Sequence, residues 1–364
     1  MRFVTGLHLS ACSTWLLIAL AFVGLSWPNA CCAEDYPVAK RSNRSLLKPD
    51  EDFVFVCQDA GAGGYEAFPD VCRIADGRLM TVFYAGYGHV SLPNGKLPLG
   101  GRIVAVYSSD EGATWSPSQT LYDGPLDDRD SSVTQLSDGR IACTFFTYPD
   151  GSAWVTYSSD AGNTWTDSRK IIDSYATSSP IRELRSGRLI APHYRSISFS
   201  DDRGMTWKFR EIDGPERKLT EADVIELKDG ALLAVHRGDG KVPMHETRST
   251  DQGETWSPPE PLPIFGHCPY LYRVDKQTIV LSYREVLPND RYATSMRISR
   301  DDGLRWGDTI RIDDLLGAYP SMVRLKDQST LVVYYEEGAN SDIRARRFRI
   351  TADGVEWLAF DRAK

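Results

Sequence analysis

From Phe53 onward the chain alternates apolar and polar residues in short runs, and the runs break at tight-turn pairs. One pattern returns six times: a small or polar start, an apolar alternation, a turn, then an apolar run that usually closes on an aromatic. Its copies occupy residues 68–84, 130–146, 178–194, 221–237, 267–283 and 319–335. Their turns are Asp76-Gly77, Asp138-Gly139, Ser186-Gly187, Asp229-Gly230, Asp275-Lys276 and Asp327-Gln328. A period of two puts successive side chains on opposite faces of a strand, and Asp-Gly supplies the positive φ of a tight hairpin. Six hairpins are therefore predicted. No long helical periodicity follows residue 34, so the predicted fold class is all-β.

A second repeat interleaves with the first. Ser108-Ser109-Asp110-Glu111-Gly112-Ala113-Thr114-Trp115 recurs in related form at 158–165, 200–207, 249–256 and 299–306, with a worn, shorter copy at 353–357. Its tryptophans, Trp115, Trp165, Trp207, Trp256, Trp306 and Trp357, are 50, 42, 49, 50 and 51 residues apart, the length of one four-stranded propeller blade. Ser and Asp oxygens can cap backbone N–H groups of a turn, Gly supplies positive φ, and Trp packs inward. Because each copy carries the same set, the motif reads as scaffold. The prediction is a six-bladed β-propeller of four-stranded antiparallel blades over residues 52–364. In each blade a hairpin is followed by a third strand, the Trp-bearing turn and an outer strand. The segment 53–57 has no blade of its own and is expected to complete the last one, closing the ring and removing its exposed edges.

At 364 residues and 41% hydrophobic, the chain can bury a large core within one propeller. A net charge of −8 argues against a nucleic-acid partner. Arg344, Arg346, Arg347 and Arg349 form a short basic run that reads as a solvated strand face. Residues 1–33 read as a signal peptide: Arg2, an apolar run at 16–25 and a small-residue exit at 29–33. The run is too short for a comfortable membrane span, so export and release are expected, although Cys31 and Cys32 raise the question of lipidation. Residues 34–51, with Pro37 and Pro49, read as a linker. Cys57, Cys72, Cys143 and Cys268 remain after cleavage; they are too scattered for a zinc site and leave three possible disulfide connectivities. No metal motif is present and no cofactor is expected.

Equivalent positions of a repeat share an environment, so exceptions point to chemistry. Eight residues after the turn Asp or Ser stand Tyr84, Phe146, Tyr194, Tyr283 and Tyr335, but the fourth blade has Arg237. A buried arginine is costly unless it is paired or used. Eight residues before the turn stand Phe68, Asp130, Ser178, Glu221, His267 and Tyr319. These begin the innermost strands and make the mouth of the central channel the best candidate pocket.

The boxes, the blade count and the leader together resemble sialidases (neuraminidases) across roughly residues 52–360. The segment 220–227, Thr-Glu-Ala-Asp-Val-Ile-Glu-Leu, resembles the stretch bearing the family's catalytic glutamate, placing that role on Glu221. The strand 232–237 resembles the one ending in the second arginine of the carboxylate-binding triad, here Arg237, and 187–194 looks like the family's third-blade strand. Arg291 stands where the third arginine is expected, Ala318-Tyr319-Pro320 resembles the nucleophile stretch, and Tyr335-Glu336 resembles the pair that closes that blade's second strand. The resemblance implies an exo-glycosidase acting on a glycan that ends in sialic acid or a related acidic sugar. Arginines would grip the sugar's carboxylate, while a neutral Tyr, deprotonated by Glu, attacks where a carboxylate would be repelled.

Two features depart from the family. The Arg of its Arg-Ile-Pro motif is replaced by Ala67, and the loop 85–101, where its acid/base Asp belongs, contains no Asp or Glu. Arg129, flanked by Asp128 and Asp130, is a candidate to restore the charge, and His89 to carry the proton. Glu66 and Asp70 would oppose an anion and suit a neutral or cationic sugar. The alternatives are a hydrolase or lyase of another glycan using His89, or a non-catalytic glycan-binding propeller. Arg129 and His89 both facing solvent would favour the last.

Overall fold

A computed structural model describes residues 47–360, apart from 213–218, 239–240, 290 and 339–340. The leader and nearly all of the linker lie outside the described residues. Six antiparallel sheets form a ring, and five of them take four strands each in sequence order. The innermost strands are Tyr65–Arg73, Asp127–Gln135, Arg182–Glu183, Ala222–Glu226, Gly266–Arg273 and Gly317–Arg324. In the sixth blade Ile343–Thr351 is paired from both chain ends: Val54–Cys57 covers its first residues and Gly354–Leu358 the rest. The N-terminal segment thus closes the ring as its pattern predicted. The worn sixth copy of the box is a plain hairpin whose Trp357 packs on Phe348, with ring centroids 5.6 Å apart.

Each intact box ties itself off in the same way. In the first, Gly112 N–H donates to Ser108 Oγ at 2.9 Å, Thr114 N–H to Asp110 Oδ1 at 2.9 Å, and Thr114 Oγ1 to Asp110 Oδ2 at 2.5 Å. The boxes also join blades. Arg78, Arg140 and Arg188, each following a turn glycine, lie over Tyr107, Tyr157 and Phe199 at 4.6, 4.4 and 4.2 Å. They then donate to box carbonyls of the next blade, those of Ala161, Arg203 and Gln252, at 3.2, 2.8 and 3.0 Å. Guanidinium–aromatic stacking and a satisfied carbonyl recur at these three junctions.

Around the axis, Asp70, Asp223 and Ser321 hold one repeat position and one job. Their side-chain oxygens accept the N–H of Val133, Leu271 and Val71 of the neighbouring blade at 2.7, 2.7 and 3.0 Å. Asp70 is therefore an inter-blade clamp.

The register of the fifth blade differs from the sequence alignment. Hairpins close through Ile74 N–H to Arg78 O and its equivalents, which in blade five are Val274 and Thr278. Counted from those bonds, Asp275 comes one residue early. Cys268 and Arg284, rather than His267 and Tyr283, hold the repeat positions of Tyr319 and Tyr335.

The basic run is also not a solvated face. Arg344 and Arg346 are buried: Arg344 donates to Asp342 at 2.6 Å and stacks over Phe53, and Arg346 lies 3.6 Å from the Trp357 ring. Arg349 alone is exposed. Cys57, Cys72, Cys143 and Cys268 are free thiols.

The box glycines sit where no side chain fits. Gly204 has φ +81°, and a Cβ there would strike Tyr157 Oη. Gly204→Ala is expected to lose about 1–2 kcal/mol for the left-handed backbone, with the clash in addition. Adding Tyr157→Phe should return the clash component alone, measurable by denaturant unfolding of the single and double variants.

Candidate active site

Four innermost strands carry a left-handed residue at one repeat position: Phe68, Asp130, Cys268 and Tyr319, with φ of 55°, 46°, 46° and 44°. Pairing to the second strand slips by one residue at each. A bulge of this kind bends the strand and re-aims its side chain. These residues and Ser178 line a narrow cavity on the axis, with Asp70, Ser132 and Tyr270 two residues further along their strands.

At this mouth Tyr319 Oη donates to Glu221 Oε1 at 2.5 Å. Arg237 Nη1 donates to the same oxygen at 2.8 Å, and the Cys268 N–H to Glu221 Oε2 at 2.9 Å. Burial, reinforced by the charges of Glu221 and Asp130, holds the Tyr319 hydroxyl well above the usual tyrosine range, so it is protonated at rest.

Three arginines converge here. Arg284 lies 5.8 Å from the Tyr319 ring centre and donates to Gly317 O and, at 3.0 Å, to Tyr335 Oη. Arg129 is buried 5.4, 5.7 and 5.6 Å from the rings of Phe68, Tyr84 and Phe146, with its Nε 3.8 Å from Asp130 Oδ1. Ala67 faces Tyr84, and Arg129 faces Phe146 at the same position of the next blade. Arg129 thus reaches back over blade one, toward the position that Ala67 leaves without a guanidinium. Arg291 is exposed and bonds only loosely to Pro288 O, at 3.4 Å; the structure puts Arg284 at the mouth instead.

His89 is brought in by its loop. Asp127 pins that loop by accepting the N–H of Ser91 at 3.0 Å and of Gly101 at 3.1 Å, and the Tyr84 hydroxyl at 2.9 Å. The His89 ring stands edge-on to Phe68, centroids 5.3 Å apart, with Nδ1 2.9 Å from Tyr65 Oη. Tyr65 in turn donates to Glu337 Oε1 at 2.6 Å, and Tyr335 to Glu337 Oε2 at 2.5 Å. Burial and the positive charges of Arg129, Arg284 and Arg237 push the His89 pKa down to about 2, leaving the ring neutral.

The remaining candidates lie elsewhere. Glu66 turns to the 57–60 segment, accepting Ala60 N–H at 2.9 Å, and Glu336 pairs with Arg344 on the neighbouring strand. His267 is buried, its ring 6.0 Å from that of Tyr292. Glu337, Tyr65, Asp127 and Arg284 had not been singled out. Period-two alternation is the signal for Glu337: with Tyr335 at the mouth, residue 337 shares its face and 336 does not. Among the described residues no group of three or more His, Cys, Asp and Glu is placed to hold a metal ion.

The fold and the mouth together define a six-bladed propeller of the sialidase type. The BNR repeat-like domain model matches residues 151–333, and the chain belongs to that family. A protein of unknown function from Dyadobacter fermentans superposes with TM-score 0.70 at 22% identity, covering 86% of this chain and 99% of that one. The intramolecular trans-sialidase of Ruminococcus gnavus, solved with oseltamivir carboxylate, superposes with TM-score 0.67 at 15% identity, covering 84% and 99%. A sialidase of Paraclostridium sordellii is 41% identical over 70 residues, 19% of this chain and 17% of that protein, so the match spans about a sixth of that relative.

The buried carboxyls set a pH dependence. Burial raises Asp70 to about 6, Glu66 and Asp130 to about 7, and Asp128 to about 8. The folded state holds these protons more tightly than the unfolded chain does. Their contribution to stability is complete below about pH 4 and is lost as pH rises through those values. The box aspartates Asp160, Asp202 and Asp251, held down near 2 by hydrogen bonds, act in the opposite sense and only below that window. Buried His89, His193 and His236, pushed down to about 2 to 3 chiefly by desolvation, act in the opposite sense up to about pH 6.5, where the unfolded imidazoles finish losing their protons. The melting temperature should therefore fall between about pH 6.5 and pH 8, and Asp128→Asn should flatten that slope.

Proposed function

We propose that this protein is an exported, retaining exo-glycosidase of the sialidase type that removes a terminal acidic sugar from a glycan. The apolar leader supports export, and the mouth geometry supports the chemistry. One observation carries the reading: a protonated tyrosine hydroxyl donates to a buried glutamate at 2.5 Å, between two arginines, at the one point where the blades converge.

In this reading Arg237, Arg284 and Arg129 hold the sugar's carboxylate, which offsets their concentrated positive charge. Tyr319 Oη attacks the anomeric carbon while Glu221 takes its proton, so the phenolate never forms free. The glycosidic C–O bond breaks, and the departing oxygen takes a proton from an acid of the site. Water then displaces Tyr319, which recovers its proton from Glu221. Two inversions leave the anomeric configuration unchanged.

A second reading has support from His89. A ring kept neutral among three arginines is a base at rest, and arginines bound to a carboxylate favour removal of the adjacent proton. Elimination would give an unsaturated sugar, visible by its ultraviolet absorbance; hydrolysis would not.

The test is release of methylumbelliferone from its sialic acid conjugate. Wild-type protein should turn over, Tyr319→Phe should fall below detection, and Glu221→Gln should lose about 10²–10⁴-fold. Turnover that survives Tyr319→Phe would remove the nucleophile assignment. Binding of sialic acid without turnover would leave a glycan-binding propeller.

A further inference from the structure

The hydrogen bonds around Glu337 have a direction. Its two carboxylate oxygens each accept a tyrosine hydroxyl, from Tyr65 at 2.6 Å and Tyr335 at 2.5 Å. A tyrosine has one proton to give. With that proton spent on Glu337, each hydroxyl can only accept from its other neighbour. Tyr335 Oη does so from Arg284 Nη2 at 3.0 Å. Tyr65 Oη lies 2.9 Å from His89 Nδ1, so that nitrogen must be the one carrying hydrogen. The chain therefore runs from Arg284 through Tyr335 into Glu337 from one side, and from His89 through Tyr65 from the other. His89 is left with a bare Nε2, and its side chain is 32% exposed on the loop over the mouth.

Resting on the glycosidase reading above, we infer that His89 handles the proton of the glycosidic oxygen through Nε2, and that Glu337, acting through Tyr65, is the positioning residue that selects this nitrogen. When Tyr319 attacks, the glycosidic oxygen leaves with the Nε2 proton and the imidazolium becomes neutral imidazole. When water attacks the glycosyl–Tyr319 bond, its proton goes to Nε2, and Glu221 returns the first proton to Tyr319. The sum is one glycoside plus one water to sugar plus alcohol.

The charged groups facing His89 fit such a cycle. Tyr65 of blade one and Glu337 of blade six support a proton on the ring, while Arg129, Arg237 and Arg284 of blades two, four and five oppose it. A carboxylate bound to those arginines offsets the opposition, so the acid form is favoured when an anionic sugar is present. Arg284 belongs both to the clamp and to the hydrogen-bonded chain, which joins substrate charge to the proton-handling ring.

Two measurements test this. The first is the ¹⁵N spectrum of the full-length protein without ligand, with His89→Gln identifying the signal. The expected result is Nδ1–H with an unprotonated Nε2, and loss of that preference in Tyr65→Phe and Glu337→Gln. An Nε2–H tautomer in the wild type would overturn the positioning role. The second compares the methylumbelliferyl conjugate, whose leaving group needs little help, with a sialyl-galactoside, whose leaving group needs a proton. His89→Ala should lower kcat/KM on the galactoside by about 10²-fold or more beyond its effect on the aryl conjugate. Glu337→Gln should shift the pH limb of kcat/KM to lower pH with KM little changed, because a negative charge supporting the imidazolium is gone. Equal losses on both substrates, or an unmoved limb, would overturn the proton-handling role. If the wild type turns over neither conjugate, the glycosidase reading fails and His89's part in it too, while the tautomer still decides the positioning.

Discussion

A left-handed residue at the start of an innermost strand is the constraint on which the rest of this structure depends. A regular strand would carry the side chain of Tyr319 on into the sheet's alternation. With φ of 44° and one unpaired residue, the strand bends there, and the hydroxyl meets a glutamate two blades away. A non-glycine residue in this conformation costs on the order of 1 kcal/mol or more and persists only where its surroundings enforce it. Here they do so repeatedly, since the Asp70, Asp223 and Ser321 clamps fix the strands just beyond the bulges. The box network, hairpins and two-ended closure of the sixth blade keep the ring rigid enough to hold that strain.

What the bulges gather beside a protonated tyrosine is a cluster of buried guanidinium groups interleaved with the carboxyls of Asp130, Glu221 and Glu337. Arg129 rests on aromatic faces, Arg284 on backbone and tyrosine oxygens, and Arg237 on Glu221. Burial, together with the charge of these arginines, holds His89 neutral. Three guanidinium groups gathered at one mouth are the physical basis for proposing an acidic sugar. The carboxyls near Ala67 do not contradict this: Glu66 faces away, and Asp70 is occupied between blades.

The architecture was legible in the sequence because a propeller repeats its physics. Asp-Gly turns, alternation and spaced tryptophans each returned in register, and the unassigned strand at 53–57 had only one place to go. Glu221, Arg237 and Tyr319 stood out as exceptions to that repeat. Arg284 did not, because Asp275 precedes the repeat's turn position by one residue, and a single slip exchanges the residues assigned to the mouth. Arg291 was placed by spacing alone, and spacing does not determine which face of a strand a residue takes. Tyr65 and Asp127 were invisible for another reason: their importance lies in partners 24 to 272 residues away, which only the closed ring brings together.

The central claim is that Tyr319 forms a covalent bond to the sugar. Its most direct measurement is mass spectrometry of the peptide containing Tyr319, after quenching the enzyme with a fluorinated sialoside whose release is slow. The account predicts a glycosyl mass increment on that peptide, absent in Tyr319→Phe. Turnover with an unmodified Tyr319 peptide and a first-formed product of inverted configuration would contradict it.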